Sequence, residues 1–127
     1  MLIVQKFGGS SVADAAKIER VAGIIADAYN AGNEVVVVLS AQGDTTDDLI
    51  EKAHEINPRP SKRELDMLLS VGEQISISLM AMQLEKMRIP AVSLAGWQIG
   101  LQTNSAYGAA RIKTVATERI RRELDKN

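Results

Sequence analysis

Hydrophobic positions along the chain alternate between short unbroken runs and longer periodic stretches. Leu2, Ile3 and Val4 form the first run, interrupted by Gln5 and Lys6 and followed by Gly8-Gly9-Ser10-Ser11. From about Asp14 to Ala31, the positions Ile18, Val21, Ala22, Ile25, Ala28 and Tyr29 recur at helical spacing, which predicts an amphipathic helix capped by Gly32. Glu34 to Leu39 (EVVVVL) is β-branched without alternation, the pattern of a strand covered on both faces. A polar turn from Ser40 to Thr46 leads into a helix expected to start near Thr45 and reach about Ile56, before the break Asn57-Pro58-Arg59-Pro60. Ser61-Lys62-Arg63-Glu64 has capping-box spacing and opens a helical stretch to about Met87, striped by Leu65, Leu68, Leu69, Gly72, Ile75, Ser76 and Leu79. Pro90 to Ala95 predicts a short third strand. Gly96 to Gly108, with Trp97 and Tyr107, predicts an irregular loop, and Thr114 to Leu124 a closing helix.

Strand–helix units in this order predict an α/β fold with a mainly parallel sheet and helices on both faces. Ligands of such sheets bind at the C-terminal ends of the strands. Those ends carry Lys6 to Ser11, Ser40 to Thr46, and the loop from Gly96. Each unusual polar cluster therefore falls on one edge.

Composition removes several function classes. The 127 residues are expected to form one domain with a real core. Fifteen basic against sixteen acidic residues, with 3% aromatics, make neither a polyanion-binding surface nor a stacking platform for bases, so no nucleic-acid partner is expected. Cysteine is absent, which excludes disulfides and thiolate metal sites. Gln5 and Lys6 interrupt the N-terminal apolar run too early for a signal peptide, and no run approaches about eighteen apolar residues. A cytoplasmic protein without a membrane partner is expected.

Lys6 beside a two-glycine turn and a helix start suits an anion: the glycines let backbone N–H groups approach, and the lysine adds a full charge. The lysine precedes the glycines, so this is not a Walker A loop. The plainer readings are a strand-end lysine reaching water and a tight turn at Gly8 and Gly9. Ser40 and Thr46 flank a turn where helix capping is the ordinary role. Glu73 follows Gly72 beside the apolar stripe, where a carboxylate needs a cation or hydrogen-bond donors, in a ligand site or in a structural ion pair. Asp44, Asp47 and Asp48 read as complements of a helix dipole, and no metal ligand is assigned among them. His54 reads as solvated on a polar helix, and Trp97 either as core or as a contact over the active edge.

Three segments in order, Lys6-Phe7-Gly8-Gly9-Ser10-Ser11-Val12, Ser40-Ala41 with Gly43 to Leu49 (GDTTDDL), and Gly72-Glu73, resemble the N-terminal half of aspartate kinases. Pro60 to Leu69 and Gly96-Trp97-Gln98 are similar to the same family, and the likeness runs from residue 1 to about 115. The resemblance implies the three-layer α/β/α sandwich of amino-acid kinases and ATP-dependent phosphorylation of the β-carboxylate of L-aspartate, with Mg²⁺, in a homo-oligomeric parent enzyme of amino-acid biosynthesis. It implies that Lys6 contacts the transferring phosphoryl group and that Gly8, Gly9 and Ser10 cradle the ATP phosphates. Ser40, Thr46 and Glu73 would hold the amino acid, with Glu73 on its ammonium. Glutamate 5-kinase or acetylglutamate kinase activity, and a non-catalytic half-domain, are the competing readings. Gln42 stands where many relatives carry Met, a change expected to be tolerated. The family's further Gly-Arg-Gly-Gly-Ser-Asp segment, adenine pocket and ACT domains lie outside these residues. The chain is thus expected to be the N-terminal part of a catalytic domain and to be inactive in isolation.

Overall fold

The computed structural model describes residues 1–126. Its centre is a parallel pair, β1 (Leu2–Phe7) and β2 (Glu34–Leu39), in register from Leu2 opposite Glu34 to Phe7 opposite Leu39. Between them runs α1 (Ala15–Asn30). Its N-terminus is fixed by Asp14, whose Oδ1 accepts the Lys17 N–H at 2.9 Å. At its far end Gly32 takes φ +91° and donates to the Tyr29 carbonyl at 2.9 Å, the left-handed stop expected of a glycine there.

α2 (Thr45–Ile56) and α3 (Lys62–Lys86) follow. Ser61 Oγ accepts the Glu64 N–H at 3.3 Å, while the Glu64 carboxylate pairs with Arg63, so half of the expected capping box forms. Ile18, Val21, Ala22, Ile25 and Ala26 of α1 pack with Met80 and Leu84 of α3, Leu39 of β2, Val12 and Ile89 as the buried core, with Phe7, Val35 and Val37 against it. This is one face of the sheet. On the other, Leu2, Val4 and Val36 share a groove with Ile120 and Leu124 of α4 (Glu118–Leu124), and Arg121 reaches Glu34 at 3.4 Å. Helices thus flank the parallel pair on both sides, and the α/β/α layering follows. Lys6 and Val38, farther along that second face, stay exposed.

Three expectations need correction. Pro90 to Ala95 is extended but joins no ladder, because no strand among the described residues lies beside it. The region expected as loop and helix instead holds an antiparallel hairpin, β3 (Leu101–Thr103) with β4 (Ile112–Val115), and α4 starts at Glu118 rather than Thr114. Alternating β-branched residues in Ile112-Lys113-Thr114-Val115 favour a strand over a helical turn. Finally, α3 is long enough, and its most apolar window has enough mean hydropathy (1.3), to cross a membrane by length and composition. In this fold it is the helix against which α1 and α2 pack.

Candidate functional site

The strand ends meet in a corner built from backbone contacts. After β1 the chain enters a single 3-10 turn, Gly9–Val12, in which Ser11 N–H donates to the Gly8 carbonyl at 3.1 Å. The N–H groups of Gly9 and Ser10 have no backbone acceptor among the described residues, as expected for the opening of a helical turn. After β2, Ser40 N–H donates to the Phe7 carbonyl at 3.2 Å and Gly43 N–H to the Gly9 carbonyl at 3.0 Å. The two loops approach so closely that a Cβ on Gly9 would lie 2.5 Å from the Ala41 carbonyl oxygen. Gly43 makes the return with φ +47°, and α2 then begins with Asp47 and Asp48 in its first turn, complementing the dipole as expected.

α3 closes the corner from the other side. Gly72 is buried, and a Cβ there would sit 2.8 Å from Ala41 Cβ and 3.6 Å from Thr45 Cγ2. Ala41 is therefore clasped between two glycines distant in sequence, Gly9 and Gly72. This clasp brings the Gly8–Ser10 turn, the Ser40–Thr46 turn and the Gly72-Glu73 step together.

The individual side chains divide. Lys6 is exposed at the C-terminal end of β1, opposite Val38, and forms no ion pair among the described residues. Gly8 and Ser10 are exposed, whereas Gly9, Ser40 and Thr46 are half-buried. Thr46 lies in the first turn of α2, beyond a helix start at which no side-chain cap forms, so the capping role does not materialise. Glu73 departs from expectation: its carboxylate is exposed rather than enclosed in the apolar stripe. It lies on the wall of a cavity of about 790 Å³ bounded by β2, α3 and residues 89–97. Of the residues expected to hold phosphate or the amino acid, Glu73 alone lines that cavity; Lys6, the glycine turn, Ser40 and Thr46 do not. Trp97 is 74% exposed at its rim rather than in the core, and His54 is exposed in the last turn of α2.

Gln42 was underrated from the sequence. Its Nε2 donates to the Val12 carbonyl at 2.9 Å, pinning the β2 loop onto the end of the glycine turn. The signal was present in the sequence as a polar residue between two clusters, but only the fold reveals its partner thirty residues away.

Among the described residues no group of three His, Cys, Asp or Glu is placed to hold a metal ion. The open N–H groups of Gly9 and Ser10 and the unpaired Lys6 ammonium suit phosphate oxygens instead.

The chain is similar to known proteins. An aspartokinase of Geobacillus stearothermophilus is 53% identical over 124 residues, covering 98% of this chain and 30% of the relative. That of Mycolicibacterium smegmatis is 52% identical over the same coverage. A crystal structure of aspartate kinase from Synechocystis superposes with a TM-score of 0.73 at 50% identity, over 74% of this chain and 16% of that one. The chain therefore spans about 30% of the length of the curated relatives it matches. The model of the amino acid kinase family matches residues 1–127, and the chain belongs to that family.

Proposed function

We propose that these residues form the N-terminal part of the catalytic domain of an aspartate kinase, with the nucleotide-binding remainder and ACT domains supplied by further polypeptide. The clasp of Ala41 between Gly9 and Gly72 carries this reading, because it joins all three motif segments at one corner. Identities of about 50% to proteins named aspartokinase support the choice of acceptor.

A carboxylate nucleophile is already ionised at neutral pH, so no general base is required. The barrier is the approach of one anion to another, and catalysis must come from alignment and charge neutralisation. Lys6 contacts the transferring phosphoryl group. The turn at Gly8, Gly9 and Ser10 receives the ATP phosphates on its open N–H groups. Ser40 and Thr46 hold the aspartate, and Glu73 accepts its ammonium. Mg²⁺ would add to this charge neutralisation; among the described residues no group of three His, Cys, Asp or Glu is placed to hold it.

The test is a chimaera in which the aligned 124 residues of this chain replace those of the Geobacillus stearothermophilus relative. With ATP and hydroxylamine, aspartyl hydroxamate is expected, and Lys6→Ala is expected to lower its rate by about 10²–10³-fold. Glu73→Gln should raise the half-saturating aspartate concentration with little change in maximal rate. Preferred turnover of glutamate or N-acetylglutamate would reject the acceptor, and normal turnover in Lys6→Ala would reject the lysine's role.

A further inference from the structure

The glycine turn is gripped at both of its ends by two consecutive residues of the β2 loop. Gly43 N–H donates to the Gly9 carbonyl at 3.0 Å, and Gln42 Nε2 donates to the Val12 carbonyl at 2.9 Å. Gly9 and Val12 are the first and last residues of the 3-10 turn, so the two grips stand about 6 Å apart along it. The gripping residue is itself fixed, because the Gln42 carbonyl accepts the Thr45 N–H at 2.9 Å and ties position 42 to the start of α2. Val12 is fully buried, and its carbonyl receives no backbone N–H among the described residues. The Gln42 amide supplies that partner, and a side chain without an N–H would leave a buried acceptor unpaired. Gly9 and Ser10, whose own N–H groups are open, belong to the segment held between the two grips.

We propose that Gln42 is a positioning residue for the phosphate donor: by fixing the far end of the turn, it aims the open N–H groups of Gly9 and Ser10. This role rests on the function proposed above, in which the turn receives the ATP phosphates. A turn held at Gly9 alone can rock about that single hydrogen bond. Held at Val12 as well it cannot, and its two donors meet phosphate oxygens without reorganising. Gln42 touches neither substrate; it acts through the Val12 carbonyl. The β2 loop keeps its other anchors when the Gln42 amide is lost. Ser40 N–H still donates to the Phe7 carbonyl, and Ala41 stays between Gly9 and Gly72. The side of the corner assigned to aspartate is therefore spared, and the effect falls on the nucleotide. A methionine at position 42 would have to hold the turn by packing alone.

The test compares the parent chimaera with Gln42→Met, which is similar in length but has no N–H, and with Gln42→Ala, all below their melting temperatures. Binding of a non-hydrolysable ATP analogue with Mg²⁺, measured by calorimetry, is expected to weaken by about 5-fold in both variants, the worth of one neutral hydrogen bond. Half-saturating ATP in the hydroxamate assay should rise in parallel, while half-saturating aspartate should change by less than about 2-fold. A purely structural role would lower the melting temperature and the amount of active enzyme, yet leave both half-saturating concentrations where they were. Unchanged analogue affinity in either variant would overturn the role, and so would an equal rise for aspartate. Absence of analogue binding by the parent chimaera would overturn it together with the phosphate role of the turn. Weakened analogue binding in the variants, with no aspartyl hydroxamate from the parent, would sink the proposed activity and leave the positioning role standing. Aspartyl hydroxamate with unchanged analogue affinity would do the reverse.

Discussion

The two ends of β2 are finished to different degrees. At its C-terminal end, Ser40 and Gly43 donate to carbonyls of the first loop, and a methyl group on Gly9 or Gly72 would collide with Ala41. Along its outer edge, Val35, Val37 and Leu39 face a wide apolar slot whose far wall has no ladder partner. The corner is assembled by contacts within the first 72 residues, so its geometry is held without help from elsewhere. The edge has no ladder partner among the described residues. A phosphate-handling loop gains from being rigid before its ligand arrives, because alignment then demands no reorganisation. The sheet edge carries no such demand, only a demand for burial.

The sharpest way to break the corner is Gly9→Ala. The new methyl would meet a backbone oxygen at 2.5 Å, which cannot rotate away, so the two loops must separate. A cost of about 2–3 kcal/mol is expected, lowering the melting temperature by roughly 10 °C. Gly8→Ala is the matched control: nothing lies within 4 Å of its Cβ position and its φ is an ordinary −75°, so stability should change by less than about 0.5 kcal/mol. Equal melting curves for the two variants would show that the loops are not in contact. Gly72→Ala comes next. Its clash with Ala41 Cβ at 2.8 Å is partly offset by the roughly 1 kcal/mol that alanine gains over glycine in a helix, leaving a net loss of about 1 kcal/mol. Gln42→Ala removes one neutral hydrogen bond, to the Val12 carbonyl, and should cost about 1 kcal/mol or slightly less in a denaturant titration.

The sequence patterns that proved reliable were those whose cause is local. The period of α1, the β-branched run of β2 and the Ser61 cap depend on neighbours a few residues away, and each appears where expected. Residues 90–95 carry an equally local strand signal, yet a strand requires a partner, and pairing is a property of two segments. The hairpin failed for the opposite reason: Leu101 to Thr103 and Ile112 to Val115 are too short to announce themselves individually, and only their mutual register reveals them. At the site, glycine spacing pointed to the corner. It could not show that Gly72 and Gly9 touch the same alanine, since the 30 residues between Ala41 and Gly72 carry no trace of the distance they close. Glu73 was misjudged because a helical wheel places it beside the stripe without saying how wide the stripe is.

The smallest expected effect is at the unfinished edge, where α4 stands at the slot. Arg119 Nε donates to Glu123 Oε1 at 2.7 Å, one helical turn apart, and this hydrogen bond holds the Glu123 carboxyl below the ordinary glutamate range, aided by the charges of Arg119, Lys126 and Arg122 and opposed by partial desolvation. A carboxyl whose pKa is lower in the folded than in the unfolded chain contributes its stability above the unfolded value and loses it as pH falls through the folded one. Glu123→Gln should therefore melt slightly below the parent chain at neutral pH, and the gap should shrink as pH falls below the ordinary glutamate range and through the lowered folded value. The order of the pair, cation N-terminal to anion, opposes the helix dipole and keeps the gap small. About 1 M salt should also shrink it, whereas the Gly9→Ala loss, being steric, should persist. A gap at pH 7 that survives both acid and salt would mean that Glu123 acts through packing at the slot and not through its charge. In that case the edge would be better held by this chain alone than its unpaired backbone suggests.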